Sequence, residues 1–158
     1  MVDDCGGNLQ LRSTKKFALI GPWGSSEGQN WSFKAEGKIM KIIINHGECI
    51  DSIGFASQDD DGNVHHSPKF GGYGGDYTEV NIDIDVEELN CISGTIGWFD
   101  SKVVVTSLSF STDVNKFGPF GSENGTHFSV PISKARFAGF YGRCSDYIDA
   151  IGVYLNPT

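Results

Sequence analysis

The chain has no apolar run approaching the ~20 residues needed to cross a bilayer, so a membrane-spanning role is not expected. It also lacks positive charge. Twelve Lys and Arg stand against 20 Asp and Glu, a formal net charge of -8, and such a surface repels phosphate backbones. Nucleic acid is therefore not an expected partner. The first residues, MVDDCGGNLQLRSTKK, contain no apolar signal core, which points to a cytoplasmic or nucleocytoplasmic protein. Cysteine is sparse and scattered: Cys5, Cys49, Cys91 and Cys144 include no CxxC pair. Zinc needs clustered ligands, so reduced cytosolic thiols are the expectation, with Cys5 in a polar tail able to cross-link on oxidation. Without a secretory route the sequons Asn30-Trp31-Ser32 and Asn124-Gly125-Thr126 carry no consequence.

Helical periodicity is scarce, whereas strand patterns are common. In TEVNIDIDV, Val80, Ile82, Ile84 and Val86 alternate with Glu79, Asn81, Asp83 and Asp85, which predicts a half-buried strand. Leu108 and Phe110 alternate with serines; Phe128, Val130 and Ile132 share a face, as do Ile151, Val153 and Leu155. KIMKIIIN (38–45) and SIGFAS (52–57) are further candidates. With 39% hydrophobic and 20% charged residues over 158 positions, the chain suits one globular domain. Short strands separated by turn signals make it all-β, a sandwich, barrel or prism. Residues 1–16 form a polar N-terminal tail, expected to be mobile, and 17–158 the domain.

Asp59-Asp60-Asp61-Gly62-Asn63 has the look of a calcium loop. Counting Gly62 as the sixth position puts Pro68 at the twelfth, where the bidentate Glu of an EF-hand belongs. A hairpin turn explains Asp-Gly better. His65 and His66 are adjacent and so face opposite ways on a strand. No metal and no cofactor is expected.

The informative feature is repetition. GPWGSSEG (21–28), FGGYGG (70–75) and FGPFGSENG (117–125) begin roughly fifty residues apart, which suggests three related units around one axis. A second element recurs: GECID (47–51) and SDYID (145–149) each end in Ile-Asp and enter a strand. Glycine lets backbone amides approach a ligand, and an Asp at a loop–strand junction offers two fixed acceptors. The combination suits vicinal hydroxyls, which both donate and accept.

These residues resemble the jacalin-related lectins, and more closely their mannose-specific subgroup. The stretches that carry the resemblance are GPWG to Trp31, FGPFGSENGTHFSVPI (117–132) and GFYGR to Leu155; it covers roughly residues 17 to 156. The resemblance implies a β-prism of three four-stranded Greek-key sheets with pseudo-threefold symmetry, and reversible, metal-free, non-catalytic sugar binding. It implies a site in which Gly28 donates a backbone N–H to a ring hydroxyl. Asp146 and Tyr147 would donate backbone N–H groups near the 5- and 6-oxygens, and Asp149 would accept from the 4- and 6-hydroxyls. Galactose binders of the family are cut into two chains, so a continuous chain favours mannose or glucose. A symmetry-related second site would use Gly47, Glu48, Cys49 and Asp51, faced by Gly74 and Gly75. The third unit, GTIGWFDS (94–101), lacks the spacing and is expected to hold no site.

Two departures stand out. Ser145 occupies the position where the GxxxD motif begins with Gly, and a left-handed backbone there would cost a Ser ~1–2 kcal/mol. Ser25, Ser26 and Glu27 replace a run usually richer in Gly. A glycoside hydrolase needs two carboxyls facing each other across the bond, which Asp146 and Asp149 on one short turn do not provide. The remaining alternative is a β-prism that has lost sugar binding and serves as a protein-interaction or stress-response module. The expected partners are mannose- or glucose-containing glycans and further copies of the chain, as a homodimer or larger homo-oligomer.

Overall fold

The computed structural model describes residues 17–157, so the N-terminal tail and Cys5 lie outside the described residues. Thirteen strands follow in order: β1 (Ala18–Gly24), β2 (Gln29–Lys34), β3 (Lys38–His46), β4 (Ile50–Gln58), β5 (Val64–His66), β6 (Phe70–Gly71), β7 (Asp76–Asn81), β8 (Leu89–Phe99), β9 (Lys102–Thr112), β10 (Lys116–Gly121), β11 (Thr126–Pro131), β12 (Ala135–Cys144) and β13 (Ile148–Pro157).

They form three antiparallel sheets, ordered β1-β13-β12-β2, β5-β4-β3-β7 and β10-β9-β8-β11. In the second, the outer position is shared, because β6 also pairs with β4. Each sheet is a Greek key: a central hairpin flanked by two outer strands that a glycine loop joins. The first is closed by the chain ends, since β1 and β2 come from the start and the hairpin β12–β13 from the finish. This is the expected three-unit β-prism.

The inner faces meet in one core. Phe55 of β4 is fully buried and stacks on Phe140 of β12 at 4.8 Å and on Phe33 of β2 at 5.3 Å. Trp31 of β2 lies 6.0 Å from Phe55 and 5.1 Å from Phe70. Trp23 of the first glycine loop stacks on Phe128 of β11 at 4.7 Å, tying the first sheet to the third. The alternating residues Leu108 and Phe110, Phe128 and Val130, and Ile151, Val153 and Leu155 are all buried.

The pattern in TEVNIDIDV outruns its strand. β7 ends at Asn81; Val80 and Ile82 are buried but Val86 is 68% exposed. The Asp83 carboxylate accepts from the Asp85 N–H, and the Asp83 carbonyl accepts from the Val86 and Glu87 N–H groups. Asp thus offers the backbone a turn that competes with the ladder. Asp59 acts similarly between β4 and β5. Its Oδ1 accepts from the Asp61 and Asn63 N–H groups, and its Oδ2 meets His65 Nε2 at 2.8 Å. The acidic run is a hairpin turn held by its first residue.

Phe55 is the side chain through which the first and second sheets touch most directly. Phe55→Ala should cost ~3–5 kcal/mol, read as a lower denaturation midpoint with an unchanged slope.

Candidate functional site

The three units superpose bond by bond at one end of the prism. The Ser25 N–H donates to the Asp149 carbonyl, the Gly72 N–H to the Asp51 carbonyl and the Ser122 N–H to the Thr106 carbonyl, each at 2.9 Å. The two turns between central strands close alike as well: the Ser145 N–H donates to the Tyr147 carbonyl at 2.9 Å and the Gly47 N–H to the Cys49 carbonyl at 3.0 Å. Asp149 and Asp51 are therefore equivalent positions, and Thr106 stands where a third carboxylate would be. Its hydroxyl donates to the Asn124 carbonyl at 2.7 Å, so the third position closes on itself.

Asp149 is fully buried, and neither of its oxygens accepts a hydrogen bond from the protein. Gly28 faces it. A side chain at Gly28 would put its Cβ 2.6 Å from Asp149 Oδ2, and its φ of 77° favours glycine. Loop and turn thus approach to a distance that only a bare backbone permits. Among the described residues the N–H groups of Gly28, Asp146 and Tyr147 find no acceptor within the protein. Free donors on the glycine loop and on the 145–147 turn thus lie to either side of a buried double acceptor. Such a set matches a ligand dense in hydroxyls.

Arg143 sets the loop. Its Nη2 donates to the Gly28 carbonyl at 2.7 Å, its Nε to the Glu27 carbonyl at 3.2 Å and its Nη1 to Asn30 Oδ1 at 2.9 Å. One planar guanidinium therefore fixes the backbone from Glu27 to Asn30. Trp31 Nε1 donates back to the Arg143 carbonyl at 3.1 Å. Glu27 itself is exposed.

Ser145 does not have a left-handed backbone; among the described non-glycine residues only Asp100 and Ser101 do. The expected strain at Ser145 is absent. Its hydroxyl instead accepts from Lys102 Nζ at 2.7 Å, and Nζ also stands 3.1 Å from Asp149 Oδ1. Lys102 comes from the third unit. The β8–β9 hairpin runs on past Thr106 to a two-residue turn at Asp100-Ser101, where Phe99 pairs with Lys102. Positive φ at both central residues matches the twist of the strands. Asp100 Oδ2 accepts from the Tyr147 hydroxyl at 3.0 Å, which with burial pushes that phenol up to about 12, and Phe99 meets the Tyr147 ring edge-on. The third unit thus packs its hairpin against the 145–149 turn of the first. Nothing local signals this, because Lys102 and Ser145 are 43 residues apart.

The second set is also assembled. Asp51 is 9% exposed, and Cβ atoms at Gly74 and Gly75 would lie 2.9 Å from its Oδ2 and 2.6 Å from its Oδ1. Burial raises the Asp51 carboxyl above the usual range, opposed by nearby His46 and a backbone hydrogen bond. Gly47 and Glu48 are exposed in the turn. Cys49, between Glu48 and Asp51, is 1% exposed. Burial and the carboxylates of Asp51 and Glu48 push the Cys49 thiol up to about 12.

A model of the jacalin-like lectin domain matches residues 20–154. A mannose/glucose-specific lectin of Parkia pendula is 41% identical over 163 residues, which is 99% of this chain and 36% of that protein. The chain thus spans about a third of that relative's length. The solved structure of a mannose-binding jacalin-related lectin from Ananas comosus superposes with a TM-score of 0.83 at 34% identity, over 90% of this chain and 99% of that one. The lectin Calsepa of Calystegia sepium, solved in complex with a biantennary N-glycan, gives 0.82 at 33% identity over 92% and 99%.

With so high a proton affinity and so little exposure, Cys49 should resist alkylation in the native protein at pH 8. Mass spectrometry after iodoacetamide treatment should find Cys49 unmodified until denaturant is added.

Proposed function

The chain belongs to the jacalin-like lectin domain family, and from that premise we propose that it binds mannose- and glucose-type sugars, in glycans, without metal or catalysis. The observation that carries this reading is Asp149: a fully buried carboxylate, both oxygens free of hydrogen bonds, facing a glycine backbone. Few ligands repay such desolvation. A sugar with neighbouring equatorial and primary hydroxyls does, because each can donate to one oxygen.

In this reading Asp149 accepts from the 4- and 6-hydroxyls. The Asp146 and Tyr147 amides donate to the ring and 6-oxygens, and the Gly28 amide to a further hydroxyl. Ser145 forms the floor beside Lys102. A 4-epimer leaves one Asp149 oxygen unpaired, at ~1–3 kcal/mol, a roughly tenfold to hundredfold preference. A single sugar should bind weakly, with Kd in the ~mM range. Useful avidity then needs several sites, from the Asp51 set and from a homo-oligomer. A glycosidase would need two opposed carboxyls, yet Asp146 is exposed while Asp149 is buried against Lys102.

Calorimetric titration with methyl α-mannoside in EDTA should give millimolar binding, with methyl α-galactoside at least tenfold weaker. Asp149→Ala should abolish the first site while the circular dichroism spectrum is kept. No binding of either methyl glycoside or of a high-mannose glycan would refute the reading.

The second site should make the stoichiometry two, falling to one in Asp51→Ala. Asp51 takes up its proton at a higher pH than an ordinary aspartate, and only its charged form accepts twice. On acidification, binding in Asp149→Ala should therefore fade above the usual carboxylate range. Titration of that variant from pH 7 to pH 4 checks this.

A further inference from the structure

We propose that Lys102 is a positioning residue for the first site, an internal counter-ion that neutralises Asp149 without occupying its acceptor directions, and that Ser145 is the anchor that holds it there. The inference rests on the sugar-binding reading of that site and adds a residue from another unit to it.

The geometry separates this from a plug. Lys102 Nζ lies 3.1 Å from Asp149 Oδ1, close enough for an ion pair, yet Oδ1 accepts no hydrogen bond. The ammonium approaches off the direction in which a hydrogen bond forms. Its aligned bond goes instead to Ser145 Oγ, at 2.7 Å. The charge of Asp149 is therefore balanced while neither of its oxygens is committed to a hydrogen bond within the protein. An ammonium has three N–H donors; one is spent on Ser145, and the side chain is 28% exposed. A donor thus remains for a hydroxyl held by Asp149.

The surroundings require such a cation. Asp146 and Tyr147 lie on the same turn, Asp100 on the facing hairpin, and Cys49, Glu48 and Asp51 on the neighbouring one. Cys144 precedes Ser145, and Glu27 lies in the glycine loop. Of the ion pairs among the described residues, Lys102 alone reaches Asp149. Without it a dry carboxylate would sit among other acids, an arrangement that is strongly unfavourable. The loop geometry serves the same end. Two left-handed non-glycine residues, Asp100 (φ 53°) and Ser101 (φ 63°), start β9 at Lys102. Its Nζ lies over the Tyr147 ring, 5.9 Å from the centroid. The Ser that departs from the family's Gly thus has a partner, and the two belong together.

The test is a pair of double-substitution cycles. In the first, thermal unfolding is read for K102M, D149N and K102M/D149N. Lys102→Met alone should lower Tm by about 3 °C or more, and the loss should vanish in the Asp149→Asn background, where no charge needs balancing. Equal losses in both backgrounds would mean that Lys102 merely packs, and would overturn the proposal. This arm uses no sugar, so it stands whether or not the sugar reading does. In the second, methyl α-mannoside is titrated. Lys102→Met should weaken first-site binding about tenfold, Lys102→Arg should keep most of it, and Ser145→Gly should weaken it less than Lys102→Met, with no further loss in S145G/K102M. Wild-type binding with Lys102→Met equal or tighter would show the ammonium to be a plug and would also overturn the proposal. Wild-type protein that binds no sugar fails the functional reading instead.

Discussion

A carboxylate cut off from water is the most demanding group in this molecule, and much around Asp149 follows from it. Removing an ion from solvent costs several kcal/mol after relaxation, so the fold must supply compensation from nearby. The ion pair with Lys102 is one part. Backbone holds it in place: the carbonyl of Asp149 is tied to the Ser25 N–H, and Gly28 lets the loop close over the carboxylate without a side chain. The Arg143 guanidinium then holds that loop from behind through three bonds. Each element is short range, and together they keep two oxygens fixed and unsatisfied. A group so arranged stores its hydrogen-bonding capacity for a ligand rather than for the fold.

The prism supplies that arrangement three times and uses it unequally. At the equivalent positions stand Asp149, Asp51 and Thr106, and their carbonyls accept the same bond from the same kind of loop. The side chains decide what each unit does. Thr106 commits its hydroxyl to the Asn124 carbonyl and to Thr95 Oγ1. The third unit extends its hairpin and delivers Asp100 and Lys102 to its neighbour. Symmetry therefore explains the scaffold, and broken symmetry explains the chemistry at one mouth.

The sequence was legible where a rule is local. Alternating apolar residues marked the strands that carry Phe110, Val130 and Val153, and the recurrence of glycine loops marked the units. It misled where one local rule overrode another: the alternation of TEVNIDIDV continued through Ile84 and Val86, but Asp83 folded the backbone into a turn. The pairing of Gly28 with Asp149 came from the family resemblance, and the structure sets the two so close that a Cβ at Gly28 would lie 2.6 Å from Asp149 Oδ2. Lys102 could not be read, since its role depends on a hairpin length and a contact across sheets. Ser145 looked like damage for the same reason; its partner lies in another unit.

The two carboxylate sets are not independent, because one loop serves both. Gly74 and Gly75 face Asp51, while Gly72 packs so tightly on the Asp146 backbone that a Cβ there would collide with its carbonyl oxygen. Between them Tyr73 is 94% exposed, with Lys69 Nζ 5.1 Å from its ring centroid. A shift of this loop must therefore displace the Asp146 turn as well as the approach to Asp51. Rigid coupling of this kind fixes the spacing between the two sets, and on the sugar-binding reading proposed above that spacing selects the branched ligands that reach both at once. Avidity depends on that match more than on the strength of either contact.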